Sequence, residues 1–114
     1  MDINHTKKQS RIDTMLGFAM RAGKLILGTD LVCRAMPSGK VKLCVIASGA
    51  SAPTKKKLTT KSEFYSIPKV FIEKTPEALG ALLGKSHPTA AVAVTDAGFA
   101  SEIIKAAEMP ESTI

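Results

Sequence analysis

The sequence predicts an α/β fold, a three-layer α/β/α sandwich around a small mixed four-stranded sheet. Three observations carry that prediction. Segments with apolar residues at helical spacing alternate with short apolar runs along the whole chain. Two of those runs, LCVIA at 43–47 and TAAVAV at 89–94, lack polar alternation, the pattern of strands covered by helices on both faces. Turn and cap residues (Gly, Pro, Ser, Thr, Asp) separate the segments at short intervals, with no linker, repeat or low-complexity block. At 114 residues and 45% hydrophobic, the chain fits one domain, drawn at 9–109 with flexible tails at 1–8 and 110–114.

Residues 1–9 are polar and read as a fraying tail that includes His5. Ser10 can cap a helix that sets Ile12, Met15, Leu16 and Ala19 on one face, with Arg11 and Arg21 off it. Ala22 and Gly23 end it, and Gly23 and Lys24 turn into a short strand, Leu25, Ile26 and Leu27. Gly28 then allows a sharp turn and a close backbone approach, and Thr29 is the expected N-cap of a second helix. That helix, about 30–36, offers Leu31, Val32, Ala35 and Met36 as buried positions and directs Arg34 elsewhere. Pro37, Ser38 and Gly39 stop it, and Lys40, Val41 and Lys42 lead into the strand at 43–47.

The loop SGASAP, 48–53, leaves the C-terminal end of that strand, where ligands of open α/β sheets tend to sit. A helix follows from Pro53 or Thr54, opening with Lys55, Lys56 and Lys57 and burying Leu58 and, at its far end, Phe64 or Tyr65. Cations oppose the dipole at a helix N-terminus. The run therefore either serves an anionic partner or is an ordinary solvated charge cluster.

Ile67 and Pro68 mark a turn, and KVFIE at 69–73 is a third strand. Thr75 as N-cap and Pro76 at the first position open a helix whose apolar face is Leu79, Leu82 and Leu83, ended by Gly84. Residues 85–88 form a loop before the strand at 89–94. Asp96 and Gly98 lead into a last helix with Phe99, Ile103, Ile104 and Ala107 inward, stopped by Pro110.

Charge is distributed unevenly. Residues 1–57 hold eleven Lys or Arg against three Asp, whereas 58–114 hold five against seven Asp or Glu, within a total of +6. A concentrated basic surface is the footprint of a nucleic-acid binder, although an anionic membrane surface or simple solubility would also account for it. With four Phe, one Tyr and no Trp, stacking of bases on aromatic platforms is disfavoured against backbone and shape contacts. Cys33 and Cys44 lie in apolar surroundings without metal or redox spacing and read as reduced, buried thiols of a cytoplasmic protein. No run approaches a membrane span, and no partner membrane is expected.

Taken together, AMRAGKLILGTDLVCRAMPSGKVKLCVIASGAS, the block TKKKL, the segment EALGALLGK and the ending TAAVAVTDAGFA resemble the kink-turn-binding ribosomal protein family, the archaeal L-seven-Ae and eukaryotic L-thirty-e group. The likeness is greatest to its small bacterial YlxQ-type members and covers about residues 10–108. It implies an α/β/α fold that binds RNA without catalysis, commonly at kink-turns. The family's signature of Gly, a variable residue, Asn, Glu and a Lys three residues later falls here on Gly28, Thr29, Asp30, Leu31 and Arg34. Asp30, when ionised, only accepts hydrogen bonds, and Leu31 makes none.

The expected partner is structured RNA, kink-turn-like or ribosomal, with no cofactor, metal or small-molecule substrate; the oligomeric state is open. Lys24, Arg34, Lys40, Lys55, Lys56 and Lys57 would meet phosphates, and Gly28, Thr29, Asp30 and Leu31 base edges. A second surface implied by the resemblance comprises Ser48, Gly49 and Ser51 with Lys85 and His87. His87 reads equally as a plain loop histidine, and Gly28 as part of an ordinary strand-to-helix turn. An enzyme is the second class, without P-loop, GxGxxG or HExxH to support it. The third is a protein-interaction or ribosome-assembly accessory module that has lost base reading, favoured by Asp30 and by Leu31 if exposed.

Overall fold

All nine residues of the two central strands are buried, and their alternation builds both faces of the core. The computed structural model describes residues 7–110. The elements run α1 (Lys7–Arg21), β1 (Leu25–Leu27), α2 (Thr29–Ala35), a 3-10 turn (Met36–Ser38), β2 (Leu43–Ala47), α3 (Ala52–Phe64), β3 (Lys69–Ile72), α4 (Pro76–Leu82), β4 (Ala91–Val94) and α5 (Ala97–Ala107). The sheet order is β1-β4-β2-β3, with β4 antiparallel to both β1 and β2 and β3 parallel to β2. The architecture is the mixed α/β/α sandwich expected.

Because side chains alternate along a strand, Leu43, Val45, Ala47, Val92 and Val94 face one layer, joined by Ile12 and Leu16 of α1, Leu79 of α4 and Ile103 of α5. Cys44, Ile46, Ala91 and Ala93 face the other layer and meet Val32, Cys33 and Met36 at α2 and its following turn, with Leu58 of α3. The small Ala91 and Ala93 let the short α2 lie close to the sheet. No described helix is long and apolar enough to cross a membrane.

Several boundaries differ from expectation. Lys7, Lys8 and Gln9 belong to α1, which therefore starts ahead of Ser10; His5 lies outside the described residues. Gly28, not Thr29, is the N-cap of α2: its φ of 98° suits glycine, and no side chain caps the helix. Leu31 and Ala35 are not core positions, since helical rotation turns Leu31 outward to 54% exposure and leaves Ala35 half-buried. The third strand stops at Ile72 and the fourth starts at Ala91, because Thr89 N–H donates to the Pro76 carbonyl rather than to a neighbouring strand. Phe64 is 78% exposed and packs edge-on to half-buried Tyr65, which takes the buried role. The cap at Thr75 is as expected, accepting from Ala78 N–H at 3.0 Å, and Asp96 caps α5, accepting from Phe99 N–H at 2.9 Å.

Both cysteines are free and buried. Burial pushes the Cys44 thiol from 9.0 up to about 11, with the Ser62 hydroxyl pulling against it, neighbouring Cys33 adding to it and Lys69 opposing it weakly. A folded pKa above the unfolded one means that this thiol's contribution to stability is complete below pH 9 and is lost as pH rises toward about 11. Urea unfolding of wild type should therefore show a stability decrease across pH 9–11 that is smaller in Cys44→Ala. Leu58→Ala, emptying a fully buried site, should cost about 2–5 kcal/mol in the same assay. Phe64→Ala should stay within about 0.5 kcal/mol of wild type.

Candidate nucleic-acid interface

Strand directions decide which loops meet. β1 and β2 both end, and β4 begins, at the same side of the sheet. Gly28 N–H donates to the Ala91 carbonyl and Ala47 N–H to the Ala90 carbonyl, both at 2.9 Å, which ties the start of α2, the loop after β2 and the loop before β4 together. Of the residues expected from the sequence, Gly28, Thr29, Asp30, Leu31, Ser48, Gly49, Ser51, Lys85 and His87 belong to these converging segments. Lys24 and Lys40 do not. The Lys24 carbonyl accepts from Thr95 N–H at 3.0 Å, and Lys42 N–H reaches the Val94 carbonyl at 2.8 Å, so both lysines flank the opposite end of the sheet. The length of β1, three extended residues spanning roughly 10 Å, separates Lys24 from the α2 start with which it was expected to share RNA contacts.

Backbone contacts fix the loops. A Cβ at Gly49 would stand 3.0 Å from the Thr75 Cα and 3.1 Å from the Lys74 carbonyl oxygen, while Gly49 N–H donates to that carbonyl at 3.0 Å. A Cβ at Gly80 in α4 would collide with the His87 carbonyl, so the loop before β4 lies directly on the helix. Lys85 N–H also returns to the Gly80 carbonyl at 2.8 Å. The His87 ring stays exposed, with only a long 3.5 Å approach of Nδ1 to the Pro88 carbonyl oxygen. Lys74, next to this seam, pairs with Asp13 of α1 at 3.1 Å, both side chains less than a fifth exposed.

Ser51 has a structural task as the N-cap of α3, accepting from Thr54 N–H at 3.4 Å and donating to the Thr54 hydroxyl at 2.9 Å. The three lysines after it diverge by helical rotation. Lys55 Nζ folds back to the Ser48 carbonyl at 3.0 Å and charges the loop, while Lys56 points to solvent. Lys57 faces α2 and approaches Asp30 at 3.8 Å. That pair is long and solvated, so it holds neither group firmly. Arg34, Lys57 and Lys61 line one cleft between α2 and α3 with Asp30 and Cys33. Lys61 was not expected; its i+4 relation to Lys57, matching that of Asp30 and Arg34, is the signal that could have found it.

With seven residues, α2 adds little dipole of its own, and its first turn carries Asp30. The positive field at this end comes instead from Arg34 and the α3 cations. Leu31, in the first turn of the same helix, is an exposed apolar side chain that cannot hydrogen-bond. Among the described residues no cluster of His, Cys, Asp or Glu could hold a metal.

The family model described as the Ribosomal protein L7Ae/L30e/S12e/Gadd45 family matches residues 10–104. The chain is 39% identical over 90 residues to the RNA-binding protein YlxQ of Bacillus subtilis, covering 79% of this chain and 88% of that one. It is 34% identical over 92 residues to the large ribosomal subunit protein eL30 of Methanosarcina mazei, covering 81% and 85%. Among solved structures, a protein of unknown function from Bacillus halodurans superposes with a TM-score of 0.80 at 33% identity, over 87% of this chain and 98% of that one. The Giardia lamblia 15.5kD RNA binding protein shares the fold at a TM-score of 0.75 and 21% identity, over 95% and 93%.

Gly80→Ala should force the 84–90 loop off α4, lowering stability by about 1–3 kcal/mol. Hydrogen exchange should register the same change as lost protection of the Lys85 amide, whose partner is the Gly80 carbonyl.

Proposed function

Since this chain belongs to the Ribosomal protein L7Ae/L30e/S12e/Gadd45 family, we propose that it is a non-catalytic RNA-binding protein that contacts structured RNA, kink-turn-like or ribosomal. The observation that carries this reading is the convergence of the α2 start, the loop after β2 and the loop before β4 at one end of the sheet, flanked by the basic α2–α3 cleft. Its curated relatives bear RNA-binding and ribosomal names, which supports the same reading. Two buried free thiols suit work in a reducing cytoplasm.

Division of labour follows from the geometry. Arg34, Lys57 and Lys61 line one cleft with Asp30 and suit a phosphate run there, while Lys55 at the Ser48 carbonyl, exposed Lys56 and exposed Lys85 offer further cations on neighbouring segments. Such contacts hold register without reading sequence. Gly28 has open space where a Cβ would project, so a base edge can come close to this turn, although its N–H and C=O are engaged by Ala91 and Val32. Asp30 offers only acceptors, which suit an exocyclic amino group or an imino N–H. At Leu31 a base edge finds no hydrogen-bond partner.

The binding mode that results is dominated by phosphate contacts, with weak discrimination between a kink-turn and a plain duplex. A second reading, a protein-interaction or ribosome-assembly accessory module, is favoured by one specific observation, the exposure of Leu31 in the first turn of α2.

Titration of a kink-turn RNA and a matched duplex across a salt series separates these. The RNA reading expects log K to fall with log salt, and Arg34→Ala with Lys57→Ala to flatten the slope by roughly one unit per cation removed. Asp30→Asn with Leu31→Glu, which rebuilds the family signature, should raise preference for the kink-turn by about tenfold or more. Binding that ignores salt, or none to either RNA, would remove this proposal in favour of the protein module.

A further inference from the structure

The sheet ends at β3, a four-residue edge strand that carries a lysine at its start but an aromatic side chain, Phe71, near its centre. Cys44 N–H donates to the Pro68 carbonyl and Ser48 N–H to the Ile72 carbonyl, both at 2.9 Å, so even-numbered residues of β3 bond toward β2. In a parallel pair the alternate residues, Lys69 and Phe71, then direct their N–H and C=O groups outward. Their side chains share one face, since Val70 and Ile72 pack into the α1 and α5 layer. Phe71 is 46% exposed there, between Lys69 and the exposed Glu73 at the bend that closes the strand.

We propose that β3 is a self-association edge, at which a second copy of this chain adds its own β3 in antiparallel register about a two-fold axis at Phe71.

The register follows from parity and charge. An antiparallel ladder must set outward-bonding residues opposite one another, which restricts the axis to Val70, Phe71 or Ile72. An axis at Val70 sets Lys69 against Phe71 of the second copy, and one at Ile72 sets Phe71 against Glu73. Neither of those pairs Lys69 with Glu73, and the second sets a carboxylate against an aromatic ring. The axis at Phe71 instead pairs the two Phe71 rings and sets Lys69 against Glu73 twice, because KVFIE reads cation, aromatic, anion in one direction and anion, aromatic, cation in the other. Lys69 is available for this exchange, its ion pair among the described residues being with Glu63 at 3.4 Å, an exposed carboxylate. A parallel arrangement would place like charges together and could not close on two copies.

This edge is separate from the α2–α3 cleft, and its test involves no RNA, so either proposal can fail alone. Sedimentation velocity of the full chain over rising concentration should show conversion from monomer to dimer. Phe71→Lys, at an exposed position, should keep the fold by circular dichroism and stay monomeric. Lys69→Glu should weaken association by about tenfold through a doubled like-charge contact, and Lys69→Glu with Glu73→Lys should restore it, since the exchanged charges pair in the same register. Phe71→Cys should form a disulfide-linked dimer under mild oxidation, as directly opposed residues lie ~5.5 Å apart between Cα atoms, whereas Ser101→Cys on exposed α5 should not. A chain that stays monomeric throughout, a dimer indifferent to Phe71→Lys, or a double charge reversal no better than the single one would each overturn the proposal.

Discussion

The antiparallel ladder between β2 and β4 is the constraint on which the rest of this molecule depends. Both strands are buried over their full length, so neither can slip by one residue without exchanging its entire inward and outward sets of side chains. The pairing of Val45 with Val92 and of Cys44 with Ala93 fixes which layer receives the bulky residues and which receives the small ones. That asymmetry decides the helices: three pack on the valine face, and the two that flank the basic cleft pack on the alanine face. The loops that meet at one end of the sheet do so because these two strands run in opposite directions.

Charge placement is a second consequence of the same ladder. Basic residues are concentrated in the first half of the chain, but the fold divides them between opposite ends of the sheet. Lys24 and Lys40 flank the end away from the converging loops, while Lys55 reaches the loop after β2 and Arg34, Lys57 and Lys61 line the cleft between α2 and α3. A count of charge along the sequence could not distinguish these groups. Which cation cooperates with which depends on strand direction and on the rotation of α2 against α3.

The layered architecture, the core strands and the cap at Thr75 were legible because each depends on a local signal, an unbroken apolar run, a period of 3.6 or a cap residue. Thr29 misled because Gly28, with its positive φ, occupies the cap position itself and needs no hydroxyl. Leu31 and Phe64 misled for a different reason. Both are large and apolar at helical spacings that suit a core, yet their helices lie on one side of a narrow sheet with no further layer to cover them. Within the candidate interface, the glycine-hinged turn and the lysine run could be read directly from residues 28–34 and 55–57. The membership of Lys61, and the exclusion of Lys24 and Lys40, required knowledge of which elements lie side by side.

The seating of the residue 87 carbonyl against Gly80 bears on how such a chain can change over generations. Any side chain at position 80 has to be matched by a rerouted segment before β4, and any rerouting there leaves a void above the α4 backbone. Neither alteration is neutral alone, so lineages carrying this packing should drift at both places jointly or at neither, and insertions in that connection should travel with the loss of the glycine.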